Sequence, residues 1–210
     1  MAYRETPRMR ARKEATRQRI LDTTQDLVAS GGFGAASVAR VAEESGVAIG
    51  SVYRHFDSKS DLFAEVFRRA TEVEVKHVDE ALNTTSPADQ ALAKALELFA
   101  RRAIRSPTMA WALIAEPVDP LVDQERLRYR QAYAELFEQT LVRGMREGCF
   151  RPDQNPKLSS AATVGAIAEA LVGPLSPAAD GLDREKAEQL IHDVVQLCLQ
   201  AVRAPGGQQQ

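Results

Sequence analysis

The sequence predicts an all-α chain: a small N-terminal three-helix unit with a helix-turn-helix, followed by a larger helical body. Three observations carry this. Apolar residues recur at helical spacing in segment after segment. Two short apolar-faced segments meet at Gly46, where a tight interhelical turn needs left-handed backbone. Clusters of Pro, Gly and small polar residues punctuate the remainder.

Residues 1–11 are basic and contain Pro7, and read as a flexible arm able to reach phosphates or a minor groove. A first helix is expected from about Arg12 to Ser30, with Ile20, Thr24, Leu27 and Val28 on one face and Gly31-Gly32 as its stop. Phe33 is expected to plug a small core with Leu21, Val41, Val52 and Phe56. Ser37 is placed to cap a short helix bearing Val38, Val41 and Ala42. After Gly46 comes a second short helix, about Ile49 to Phe56, with Ile49, Val52, Tyr53 and Phe56 as its apolar and aromatic face. Such a second helix can lie in the DNA major groove. Its outward positions are Gly50, Ser51 and Arg54, flanked by Tyr53 and His55. Ser51 can reach a base edge or a phosphate, and Arg54 a guanine or a phosphate. Ser58 and Asp61 form a capping-box variant opening a helix to about Leu82, with Leu62, Val66, Ala70 and Val73 along one face. Lys59 at its start suits a phosphate. Ser37 and Arg40 are further phosphate candidates.

Beyond a polar break at residues 83–87, helices are expected over Ala88–Arg105, Thr108–Glu116, Pro120–Glu147, Lys157–Val172 and from Asp183 to Val202. Leu127, Tyr133, Leu136, Phe137, Leu141 and Met145 are assigned to the core side of the longest. The helix from Lys157 is rich in Ser, Ala and Gly, so a neighbour can approach closely. The division expected is an arm (1–11), a DNA-binding head (12–58), a body (59–203, with 59–82 connecting) and a disordered tail (204–210).

The net charge of −2 argues against a nucleic-acid binder until it is divided. Residues 1–60 carry ten Lys/Arg and seven Asp/Glu, a net of +3, and the rest is acidic. Cys149 and Cys198 have neither CxxC spacing nor a His partner at metal-ligand spacing, so a reduced chain without metal or cofactor is expected. Met1 is followed by charges rather than an apolar run, and no window suggests a membrane span; a cytoplasmic protein is the expectation. The protease, esterase, P-loop and dinucleotide motifs are absent, and His55, His77 and His192 fall on separate segments, which argues against an enzyme.

The run Ser37, Val41, Ala42, Gly46, Val47, Gly50, Val52, Tyr53, His55, Phe56, Ser58, Lys59 and Leu62 resembles the DNA-binding signature of the tetracycline-repressor (TetR/AcrR) family. It departs at Ser37 for Thr, Val41 for Ile, Ser45 for Ala and Ala48 for Ser. Ala48 gives up a capping hydroxyl, at a cost of about 1 kcal/mol. The resemblance implies backbone contacts to DNA from Tyr53 and His55, and a connecting helix that moves when ligand binds. It also implies a homodimer through helices at about 157–172 and 183–202, and an effector pocket in the region 87–181. Candidate walls of that pocket are Phe99, Met109, Trp111, Ile114, Tyr129, Tyr133, Phe137 and Met145. Arg102, Arg105 and Glu116 are candidates to orient a polar head, with salt pairing as the competing role. The function implied is a ligand-responsive regulator: a repressor released from a palindromic operator by an apolar or aromatic effector, with an activator, or a small-molecule binder with a vestigial head, as alternatives.

Overall fold

The computed structural model describes residues 6–204; residues 1–5 of the expected arm and 205–210 of the expected tail lie outside the described residues. Among the described residues the order is α1 (Pro7–Ala35), α2 (Val38–Glu44), α3 (Ile49–Val52), α4 (Lys59–Leu82), α5 (Ala88–Arg105), α6 (Pro107–Ile114), α7 (Pro120–Glu147), α8 (Pro156–Leu175) and α9 (Arg184–Val202). No strand is named among these residues; Phe150 and Arg203 form an isolated antiparallel bridge.

The helix ends follow capping chemistry. Asp119, Asn155 and Asp183 accept first-turn amides of α7, α8 and α9, and Gly148 ends α7 in the left-handed conformation. α1 begins earlier than expected. Thr6 caps it and Pro7 sits at its first position, where a missing N–H costs nothing, so residues 7–11 are helix and not arm. The stop at Gly31-Gly32 is a break rather than an end. Gly32 has φ +73° and ψ 179°, and one more turn runs on to Ala35.

Two buried clusters form. The larger joins the second half of α4 to α5, α7, α8 and α9, with Leu92, Leu96, Leu141, Leu171 and Leu199 fully enclosed. The smaller holds Phe33 with Leu21, Val41, Val52 and Phe56, the expected core, and adds Ile20, Phe63 and Phe67. It also takes in Ala112 of α6 and Val122 and Tyr129 of α7, so the head is seated on the body through shared apolar contacts.

Several side chains face the other way from their expected side. Ile49 is 49% exposed, and Val73 and Leu127 stand in solvent. Ile49 is the first residue of the one-turn α3, and it stays exposed while Val52, one turn on, is buried. α8 is also more apolar than expected: by length and composition alone it could cross a membrane. In the fold it buries Ser160, Thr163, Ile167 and Leu171, while Leu158, Ala161, Ala162 and Gly165 remain exposed.

Candidate nucleic-acid interface and cavity

The turn after α2 sets the head. Ser37 accepts the Arg40 amide at 3.2 Å and starts α2. Gly46, at φ +66°, turns the chain into α3. Ala48 holds the cap position without a side-chain hydrogen bond. α3 ends at Val52 rather than Phe56, and Tyr53, Arg54 and His55 follow as a tightened turn through Arg54 N–Ser51 O (3.2 Å) and His55 N–Val52 O (2.9 Å). Ser58 Oγ accepts the Asp61 amide at 3.1 Å and donates to its carboxylate at 2.6 Å, fixing the start of α4.

Gly50, Tyr53, Arg54 and Lys59 are exposed, with Ser51 and His55 half-buried beside them. Tyr53 is 50% exposed, less packed than expected. Arg54 donates to Gly50 O at 3.3 Å, and the Lys59 ammonium lies 4.8 Å from the Phe63 ring centre. Arg40 pairs with Glu44 at 2.8 Å on the surface. Arg10, Lys13 and Arg17 of α1 join Arg54 and His55, with Glu14, around one shallow basic cleft. The His55 Nδ1 is buried without a hydrogen-bond partner among the described residues. Burial first, then Lys13, Arg17 and Arg54, push the His55 pKa below its usual value. Arg10 lies in the expected basic arm and Lys13 and Arg17 in the expected first helix; only the fold brings them beside Arg54 and His55.

The body contains a cavity of about 510 Å³ walled by α4, α5, α6, α7 and α8, with Ala29 of α1 at its edge. Phe99, Met109, Ile114, Tyr129, Tyr133 and Phe137, candidate walls from the sequence, line it. Trp111 and Met145 do not; both pack against the larger core. Leu113 of α6, Phe67 and Thr71 of α4, and Val164 and Ile167 of α8 line it without having been anticipated; α4 and α8 reach the cavity only through tertiary packing. Phe99 meets Tyr133 edge-on, with centroids 5.6 Å apart. Burial drives the Tyr133 hydroxyl pKa upward, so it stays protonated. Tyr129 donates to Glu72 at 3.0 Å; burial and then that bond push its pKa up to about 12.

Four arginines also line the cavity. Arg102 is held by both oxygens of Glu74, at 2.6 and 2.7 Å. Arg126 donates to Leu113 O at 3.0 Å and Glu116 O at 2.8 Å, and pairs with Asp123. Arg105 and Arg130 are exposed and have no hydrogen-bond or ion-pair partner among the described residues.

Glu116, just past α6, does neither of the jobs considered from sequence. Its carboxylate accepts the Phe33 amide at 2.9 Å and the Gly34 amide at 3.0 Å. The break at Gly32 frees these two N–H groups, and a carboxylate 82 and 83 residues away takes them. The φ of Gly32 favours glycine, and a Cβ there would lie 2.7 Å from Glu116 Oε2 and push the carboxylate off its amides. One short helix thus lines the cavity and leads into a clasp on α1 of the head.

Residues 20–66 match the family described as bacterial regulatory proteins, tetR family. The chain is 29% identical over 151 residues to the transcriptional repressor KstR2 of Rhodococcus jostii, a match covering 70% of this chain and 74% of that one. Among solved structures, the regulator FadR from Bacillus subtilis in complex with stearoyl-CoA aligns with TM-score 0.72 at 18% identity, over 87% of this chain and 97% of that one. A putative transcriptional regulator from Saccharomonospora viridis in complex with choline aligns with TM-score 0.72 at 19% identity, over 91% and 100%. With the helix-turn-helix head and the helical body described above, residues 20–66 match the tetR family of bacterial regulatory proteins, and over most of its length the chain is similar to a DNA-binding transcriptional repressor.

Proposed function

We propose that this regulator is a repressor that binds a palindromic operator as a homodimer and is released when a small molecule fills the body cavity. The observation that carries the proposal is the clasp: α6 lines the cavity, and Glu116 at its end holds the first amides after the break in α1. A ligand that displaces α6 changes the seat of the head. It favours DNA release to the extent that it binds the displaced state more tightly. The similarity to a repressor, and to a fold that holds stearoyl-CoA, supports this reading.

In this reading residues 12–58 form the DNA-reading head and 59–203 the ligand and dimer body, with α4 between them. Tyr53, His55, Lys59, Ser37 and Arg40 hold phosphates, while Gly50, Ser51 and Arg54 face bases. The exposed apolar stripe of α8, with Leu158 at 68% exposure, and Leu197 of α9 at 60%, meet their copies in a second subunit. A twofold axis uses the same patch twice and sets the spacing of the two heads. Regulation of this kind is exerted in the cytoplasm.

The test is a fluorescence-anisotropy titration against DNA from the gene's own upstream region, beside scrambled DNA, at two salt concentrations. Tight, salt-sensitive and sequence-selective binding is expected. Equal weak binding to both DNAs refutes the operator reading. Reporter transcription that falls when the protein is removed identifies an activator instead.

A further inference from the structure

The cavity is not uniformly apolar. Its lining includes Arg102, Arg105, Arg126 and Arg130 against one acid, Glu74. Two of these arginines are already employed: Glu74 neutralises Arg102, and Asp123 with three backbone carbonyls occupies Arg126. The other two are not. Arg105, the last residue of α5, and Arg130 of α7 are exposed while lining the cavity, which puts them at its mouth. Arg130 is also close enough to Arg126 to oppose its charge, and no acid stands between them in the lining. Ser106, Pro107 and Thr108, the start of α6, share the mouth, and no side chain caps that helix end. Free first-turn amides and two guanidinium groups without partners therefore converge where the cavity opens. Phe99, Phe137, Val164 and Ile167 lie further in.

We infer that the effector is an amphipathic organic anion, its apolar body in the cavity and its anionic head on Arg105 and Arg130. This inference rests on the reading of the cavity as the effector site. Guanidinium groups bind carboxylate and phosphate by paired N–H donors, and an uncapped helix N-terminus adds attraction of the same sign. A cation is disfavoured: the quaternary ammonium of choline, the ligand of the Saccharomonospora viridis regulator, would here meet an excess of arginines. A neutral apolar molecule would gain from the walls and leave the mouth unused. The polar demand at the mouth narrows an apolar or aromatic effector to one that carries negative charge.

Calorimetric titration of the full chain with four dodecyl probes, each below its micelle concentration, tests this. Dodecanoate and dodecyl phosphate carry the two anionic heads, dodecanol none, and dodecyltrimethylammonium the opposite charge. At least one anion is expected to bind about tenfold or more tighter than dodecanol, with the ammonium weakest; the better anion tells carboxylate from phosphate. The double variant Arg105→Ala/Arg130→Ala is expected to bring that anion down to the alcohol's affinity and leave the alcohol unchanged. Both arginines are exposed, so the fold is retained, and thermal melting verifies it. Arg105→Glu/Arg130→Glu is expected to raise the ammonium's rank. Dodecanol or the ammonium binding as tightly as both anions, or an anion affinity indifferent to the double variant, overturns the inference while the cavity remains an effector site. Failure of all four probes to bind overturns the inference and the effector reading together.

Discussion

Replacing Glu116 by Ala removes one carboxylate and strands two amides. Hydrogen bonds to a charged acceptor contribute about 1.5–3 kcal/mol each when the donor is otherwise unmet. The two amides are unequal. Phe33 N sits beside a ring that is 2% exposed, whereas Gly34 is in solvent and its N–H can turn to water. A total of about 2–3 kcal/mol is therefore expected, most of it from Phe33 N. Glu116→Gln keeps one good acceptor and should lose about half as much. Urea denaturation reads the stability. Operator anisotropy, with and without the amphiphile that binds best, reads the coupling. The Ala variant should bind operator more weakly and respond less to ligand, because the link between α6 and α1 is cut. Coupling between two sites is typically about 1–3 kcal/mol, so a five-fold or larger ligand effect should shrink towards none. Val202→Ala, at the far end of the body, serves as a variant that destabilises without touching the clasp. A Glu116→Ala protein that unfolds at the wild-type urea concentration and keeps its full ligand response would refute this account. So would a response reduced equally by Val202→Ala.

Four further outcomes follow from the same structure. Tyr53→Ala and Lys59→Ala should weaken binding to every DNA, while Arg54→Ala should change sequence preference; operator affinities unchanged at physiological salt would remove these residues from the interface. Ser58→Ala should lower stability by about 1 kcal/mol through the lost α4 cap, measured by thermal melting. If the proposed dimer forms, Leu158→Lys with Leu197→Glu should leave only monomer in sedimentation, since each leucine counts twice in a twofold interface and contributes about 1.5–3 kcal/mol when buried. For His55 the folded-state pKa lies below the unfolded value of 6.5, so the stability it contributes is complete above that value and is lost as pH falls below it. The His55→Gln protein should therefore lose less stability than wild type between pH 7.5 and about pH 5.5, and identical losses would show that His55 is not held neutral.

The sequence by itself determined the local elements and the head. Helix positions follow from 3.6-residue periodicity, and their ends from caps and breakers acting within a few residues, so α5 and α7 were legible from end to end. The small core around Phe33 was legible too, because its members lie close together in the chain. The early start of α1 was written in Thr6-Pro7 and outweighed by the basic character of the arm. Tertiary structure alone decided the rest. Ile49, Val73 and Leu127 have helical spacing suited to burial, yet which stripe faces a partner depends on where that partner packs. The cavity draws its walls from elements spread from Ala29 to Ala168, and no periodicity within one helix records which faces converge. Glu116 reads in sequence as a surface acid. It becomes a clasp only because packing of α6 against α1 brings its carboxylate to two amides that the break at Gly32 has freed. Local propensity acts between neighbours in the chain, whereas the clasp and the cavity depend on groups that only the folded packing brings together.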